Sequence, residues 1–125
     1  MTVTFFGHRR IEPTLQPLAY SVLCDLIENK GADKFYVGHN GEFDVMIKNT
    51  LIKIKEKYPH IRCTVVLSYL NEKGLDEIET LYPENLEEVP LRFAILSRNK
   101  WMIEESDLVV SYVRFTASNS SKFVD

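Results

Sequence analysis

An α/β fold, a doubly wound and mainly parallel sheet of four to five strands flanked by helices, is what this sequence predicts, on two observations. Short apolar runs alternate with longer segments of helical spacing, strand then loop then helix, twice in succession from the amino terminus. A third run, RCTVVLSYL (62–70), is rich in β-branched residues and lacks polar alternation, as expected of a strand covered by helices on both faces. With 125 residues and 45% hydrophobic content, one domain spanning 1–125 is the natural size for such a sheet.

The first strand is VTFF (3–6), stopped by Gly7. A helix follows within residues 11–31, with Leu15, Leu18, Val22 and Leu26 spaced for one buried face and Gly31 set as its C-cap. KFYVG (34–38) is the second strand. From Asn40 onward Phe43, Met46 or Ile47, Leu51, Ile54 and Tyr58 mark a second amphipathic helix that ends before Pro59. After the third strand, residues 71–90 are acidic and broken by Gly74, Pro83 and Pro90, which reads as a surface excursion. Residues 91–106 return to helical spacing, DLVVSYV (107–113) is a further strand, and a polar loop leads into the last residues. In an open parallel sheet, ligands bind outside the carboxyl ends of the strands, so the loops to inspect are 7–12, 38–42, 69–75 and 113–120.

Charge and composition narrow the chemistry. A net charge of −3 and a pI near 5.6 supply no basic field for a polyanion, so nucleic acid is not an expected partner. Neither a secretory leader nor a stretch of roughly 18 apolar residues is present, which predicts a soluble cytoplasmic protein without a membrane partner. Cys24 and Cys63 read as reduced, packed thiols. No Walker lysine loop, G-x-S-x-G elbow or metal-ligand spacing occurs, so no metal or cofactor is expected.

Four stretches could carry a site. GHRR (7–10) offers Gly7 for close backbone approach and His8, Arg9 and Arg10 for a phosphate or carboxylate, or it is a solvated surface loop. VGHNGEFD (37–44) brackets a turn with Gly38 and Gly41 and opens a helix with Glu42 and Asp44, where a phosphate would meet like charge. Those acids either receive ribose hydroxyls or act at a sugar carbon, or they stabilise a helix start capped by Asn40. In SRNKW (97–101), Arg98 and Trp101 are three apart and could line a cleft beside Asn99, or form an ordinary amphipathic helix. The hydroxyl-rich stretch 111–122 could donate to a phosphate at a helix start, through Thr116 and Ser118 among others, or it is a flexible tail.

Taken in order, a first strand ending in GHR, a second ending in VGHNGEFD, a helix carrying RFAILSRNKWM and a strand SDLVVSYV entering a polar loop resemble the Rossmann-like SLOG superfamily. That superfamily is named for the DNA-uptake and cytokinin-activating phosphoribohydrolase families, and the likeness is to its small bacterial members that open with GHR. The resemblance covers nearly the whole chain. It implies a nucleotide or nucleotide-derived ligand at the carboxyl edge, with ligand roles for Gly7, His8, Arg9, Gly38, Gly41, Glu42, Asp44, Arg98 and Asn99, and Asn40 lies between the two glycines. The chain departs from its relatives in carrying FTASNSSKFVD where they have a glycine pair, or, in the enzymatic branch, a longer glycine-rich signature with a catalytic glutamate, and it stops short of their last helix and strand. The leading expectation is therefore a module that senses or sequesters a nucleotide. Hydrolysis of a nucleoside monophosphate at its N-glycosidic bond, with Glu42 and Asp44 as the catalytic pair, is the alternative, and a non-catalytic interaction subunit is the third. An exposed edge strand would favour a homodimer or higher homo-oligomer.

Overall fold

Five strands and three α-helices follow one another in a computed structural model that describes residues 1–70, 72, 75 and 78–112. Their order is β1 (Thr2–Phe6), α1 (Leu15–Lys30), β2 (Lys34–Val37), α2 (Glu42–Lys57), β3 (Arg62–Val66), β4 (Glu79–Leu81), α3 (Ala94–Glu104) and β5 (Leu108–Ser111). The sheet order is β4-β3-β2-β1-β5, and every pairing is parallel. The chain steps from β1 to β4 in one direction, then crosses back through α3 to lay β5 on the free side of β1, pairing Thr4 with both Tyr36 and Val109. This is the doubly wound α/β arrangement, with the reversal of direction at β1.

Side-chain alternation along the strands builds two cores. Val3, Phe5, Phe35, Val37, Cys63 and Val65 face α1 and α2, where they meet Leu23, Ile27, Ile47, Leu51 and Ile54. On the opposite face Tyr36 and Val66 meet Met102 of α3, with Phe6, Leu81 and Trp101 packed around them. Trp101 is thus a packing residue against the Tyr36 ring, 5.2 Å between centroids, and not a wall of a cleft. Both thiols are free; burial pushes that of Cys63 up to about 12.

Gly31 closes α1 in the left-handed region at φ 74°, its N–H and that of Ala32 both reaching back to the Leu26 carbonyl, as the sequence predicts. The buried face of α1 differs from the expectation. Ala19, Leu23, Leu26 and Ile27 are inside, while Leu18 is 60% and Val22 39% exposed. Two apolar stripes run side by side on this helix, and periodicity alone does not choose between them. In α2 the expected face holds, with Phe43, Ile47, Leu51 and Ile54 buried, and Tyr58 leaves helical geometry ahead of Pro59.

The acidic excursion contains a strand that patterning does not reveal. β4 is only three residues long, and its attachment to β3 is ionic as well as through the backbone: the Arg62 guanidinium donates through Nε and Nη2 to the two oxygens of Glu79, at 2.7 and 2.5 Å, and Thr64 donates to Oε1. These donors, Arg62 first, hold the Glu79 carboxyl down at about 2, below its ordinary 4.5. A depressed carboxyl contributes stability in full above its unfolded value and loses it as pH falls through the folded one. Because Arg62 and Glu79 are largely solvent-exposed, the contribution is modest. Glu79→Gln is expected to cost up to about 1 kcal/mol at pH 7 in urea unfolding, with the difference from the parent closing between pH 4.5 and 2. A gap unchanged at pH 2 would contradict this account.

Among the described residues, no helix is long and apolar enough to cross a membrane, and no group of three His, Cys, Asp or Glu side chains is arranged to hold a metal ion.

Candidate functional site

The loops after β1, β2 and β3 meet at the carboxyl edge, and the start of α2 ties the first two together. The expected N-cap, Asn40, is displaced by one residue: Gly41 is the N-cap, in fully extended backbone, and it makes no side-chain cap. Asn40 instead gives its own N–H to Asp44 Oδ2 at 3.0 Å, so the third residue of the helix reaches back in capping-box fashion. Gly41 is required by proximity. A Cβ there would lie 2.8 Å from the Arg9 Cα, so the β1 loop rests directly on this turn.

Glu42 completes the junction from both its backbone and its side chain. Its N–H donates to the Arg9 carbonyl at 2.8 Å, and its Oε1 accepts from the Ile11 N–H at 3.0 Å. One of the two acids in VGHNGEFD therefore fastens the first loop to the second. Asp44 points the other way, toward α3, and burial pushes its carboxyl above the ordinary range, against the opposing pull of the Asn40 amide and the Arg98 charge.

Arg98 is 3% exposed, unusual for a guanidinium. Its Nε donates to Asn99 Oδ1 at 2.9 Å and its Nη1 to the Val66 carbonyl at the end of β3, at 3.3 Å. Burial lowers its pKa, offset by the nearby charges of Asp44 and Glu72. Gly38 makes this convergence possible, because a Cβ there would come within 2.7 Å of Arg98 Nη1 and 2.9 Å of Asp44 Oδ2. Glu72 was not foreseen from sequence. It accepts the N–H groups of Ser68 and Tyr69 at 2.8 and 3.2 Å and so closes the turn after β3, yet within an acidic segment nothing separates it from solvated neighbours.

Above Arg98 and Asp44 opens a crevice of about 450 Å³. Gly7, His8 and Arg9 line it from the first loop, Asn40 and Gly41 from the second, and Asn99 from α3, where Ile95 and Leu96 add an apolar wall. Eight of the residues singled out in the sequence, these six with Asp44 and Arg98, thus share one cavity. Gly38 lies beneath it, and Glu42 lines a neighbouring groove instead. Thr116 and Ser118 lie outside the described residues. Gly7 packs onto the Phe43 ring, and His8 sits edge-on to Tyr112 with centroids 5.7 Å apart.

Two buried polar atoms in the β2 loop, His39 Nδ1 and Asn40 Oδ1, have no hydrogen-bond partner among the described residues. Leaving such a group unpaired costs about 1–3 kcal/mol, which a donor from a ligand would recover. The crevice can thus offer an exposed guanidinium, a buried acceptor and an apolar wall to one bound molecule. Comparison with known protein families and with curated proteins found no match to this chain.

Proposed function

We propose that this crevice binds a nucleotide or nucleotide-derived signalling molecule in the cytoplasm, to sense or sequester it, in keeping with the SLOG-like order of motifs. The observation that carries the reading is Asn40 Oδ1, a buried acceptor without a partner among the described residues, on the wall of a cavity that also holds Arg9 and the Ile95–Leu96 surface. A ribose hydroxyl or the exocyclic amine of a base supplies the missing donor, the exposed Arg9 guanidinium takes a phosphate in bidentate fashion, and the apolar wall receives the base. Glu42 already serves the loop junction, which suits a binding role.

One observation favours hydrolysis of the N-glycosidic bond as a second reading. Asp44 lines the crevice with a carboxyl that burial has raised, and a carboxylic acid so tuned can protonate a departing base. The two readings separate in one experiment, a thermal-shift screen of nucleoside mono-, di- and triphosphates followed by mass spectrometry of the recovered ligand. Binding predicts a raised melting temperature with the nucleotide intact, and Arg9→Ala is expected to weaken affinity about tenfold while the ligand-free protein melts unchanged. Release of free base, lost in Asp44→Asn, would establish the hydrolase instead. No shift with any nucleotide would end both readings. Because β5 closes the sheet with an edge that has no partner among the described residues, the proposed working form is a homodimer or higher homo-oligomer, to be checked by light scattering.

A further inference from the structure

We infer that the outer face of α3 is the docking surface for a second copy of this chain, packed antiparallel across a two-fold axis. The inference rests on the oligomer named in the proposed function and gives it an interface; it is independent of which ligand the crevice holds. α3 turns Ala94, Arg98 and Met102 inward. Its other side is apolar too. Phe93, Leu96 and Ile103 are 44%, 69% and 50% exposed, and their spacing of three and then seven residues keeps them on one stripe. Three large apolar side chains in line on one helix face are a patch, not the single scattered residues that any surface carries.

The charges along this face select the occupant. Arg92, Leu96, Lys100 and Glu104 follow one another at intervals of four, a single ridge that crosses the stripe from a cation at the amino end to an anion at the carboxyl end. Such a ridge is complementary to itself when reversed. In a two-fold pair every contact occurs twice, so Arg92 meets the partner's Glu104 and Glu104 meets the partner's Arg92. Between them Leu96 rests on the methylene stem of the partner's Lys100, and Phe93 faces the partner's Ile103. Arg92 and Glu104 lie on opposite flanks of the stripe, which suits the inclined crossing of about 50° at which ridges of spacing four interdigitate. A parallel pair would instead set Arg92 against Arg92 and Glu104 against Glu104, and like charges disfavour it. Within one copy the Arg92 guanidinium already lies over the Phe93 ring at 4.9 Å, and Lys100 Nζ stands 3.9 Å from Glu104 Oε1, so these charges border the apolar stripe. Leu96 and Ile103 stand where the stripe meets the rim of the crevice, so the pairing brings two crevices to one axis.

The test is sedimentation equilibrium over a concentration series, on the parent and on Arg92→Glu, Glu104→Arg, the double reversal and Leu96→Asp. All three positions are exposed, and the melting temperature of each variant, taken at a dilution where the parent is monomeric, verifies that the fold is kept. The parent is expected to dimerise in the micromolar range, as befits an interface of one helix face per copy. Each single reversal is expected to weaken the dimer about tenfold, and the double reversal to return it to within about threefold of the parent, because the exchanged charges meet again across the axis. Leu96→Asp is expected to leave monomer only. A parent dimer that none of the variants alters overturns the inference and leaves an oligomer built on another surface, such as the β5 edge. A double reversal no tighter than the single ones overturns it as well, since the antiparallel register is then wrong. A parent that stays monomeric throughout removes the oligomer and this inference together, while the crevice keeps its own thermal-shift test.

Discussion

Arg98→Met is expected to destabilise the protein by about 3–5 kcal/mol at pH 7, the usual result of deleting one charge from a buried, mutually compensated set. The guanidinium is all but sealed from water between α3 and the ends of β2 and β3, where the charges of Asp44 and Glu72 act on it. Methionine fills a similar volume, so the loss is mainly electrostatic. It strips Asp44 of the cation that restrains its already raised carboxyl, and it leaves the Val66 carbonyl without that donor. The sign with pH follows. An acid whose folded pKa lies above its unfolded value, here 3.8, is penalised in the fold when charged, and the penalty fades as pH falls through the folded pKa. The Arg98→Met deficit is therefore expected to be largest at neutral pH and to shrink on acidification, and Asp44→Asn added to it should restore part of the lost stability. Urea unfolding of the four proteins in the cycle, at pH 7 and pH 5, measures both effects. A deficit independent of pH and additive with Asp44→Asn would show that Arg98 acts by volume alone.

A loss of similar size, about 3–5 kcal/mol, is expected for Phe43→Ala, with an unusual route to recovery. The Phe43 ring is buried, stacks on Tyr112 at 6.0 Å with planes 6° apart, and fills the space where Gly7 would carry a side chain. Gly7→Ala alone therefore overpacks the loop and should cost about 1–3 kcal/mol. In the Phe43→Ala background the same methyl enters the vacated space, so its cost should vanish or change sign. Denaturation of the single and double variants reads this coupling directly, and strict additivity would refute the idea that Gly7 leaves space for the Phe43 ring.

The sheet was legible because its strands are uniform: VTFF, KFYV and RCTVV are too apolar and too β-branched to be anything else between helical segments. What periodicity left open was resolved by tertiary packing. On α1 the stripe of Ala19, Leu23 and Ile27 fits beneath the sheet, while Leu18 and Val22, equally apolar, stay out. Three residues of β4 amid prolines and acids carry no pattern at all, and only their pairing to β3 and the Arg62–Glu79 contact define them. The site followed the same logic. Loop order brought GHR, the glycine turn and SRNKW together, since a doubly wound sheet gathers its loops on one edge. The division of labour between Glu42 and Asp44 was not readable, because two residues apart at a helix start point in different directions, one to the first loop and one to the Asn40 amide beside the Arg98 charge. The turn closed by Glu72, and an Asn40 oxygen with no partner among the described residues, are properties of assembled backbone, which no linear motif announces.

The position of β1 between β2 and β5 has a kinetic cost. One neighbour, β2, starts 32 positions downstream at the Thr2–Lys34 pair, but the other is fixed only when Asp107 reaches the Thr2 amide, 105 positions away. At cellular elongation rates of about 5–20 residues per second, the ribosome needs roughly 5–20 s to span that gap. Throughout that interval one edge of β1 is bare, and the α3 side of the crevice is incomplete. The crevice is thus a late feature of this chain as it emerges, and the nascent form is most vulnerable along the free edge of β1.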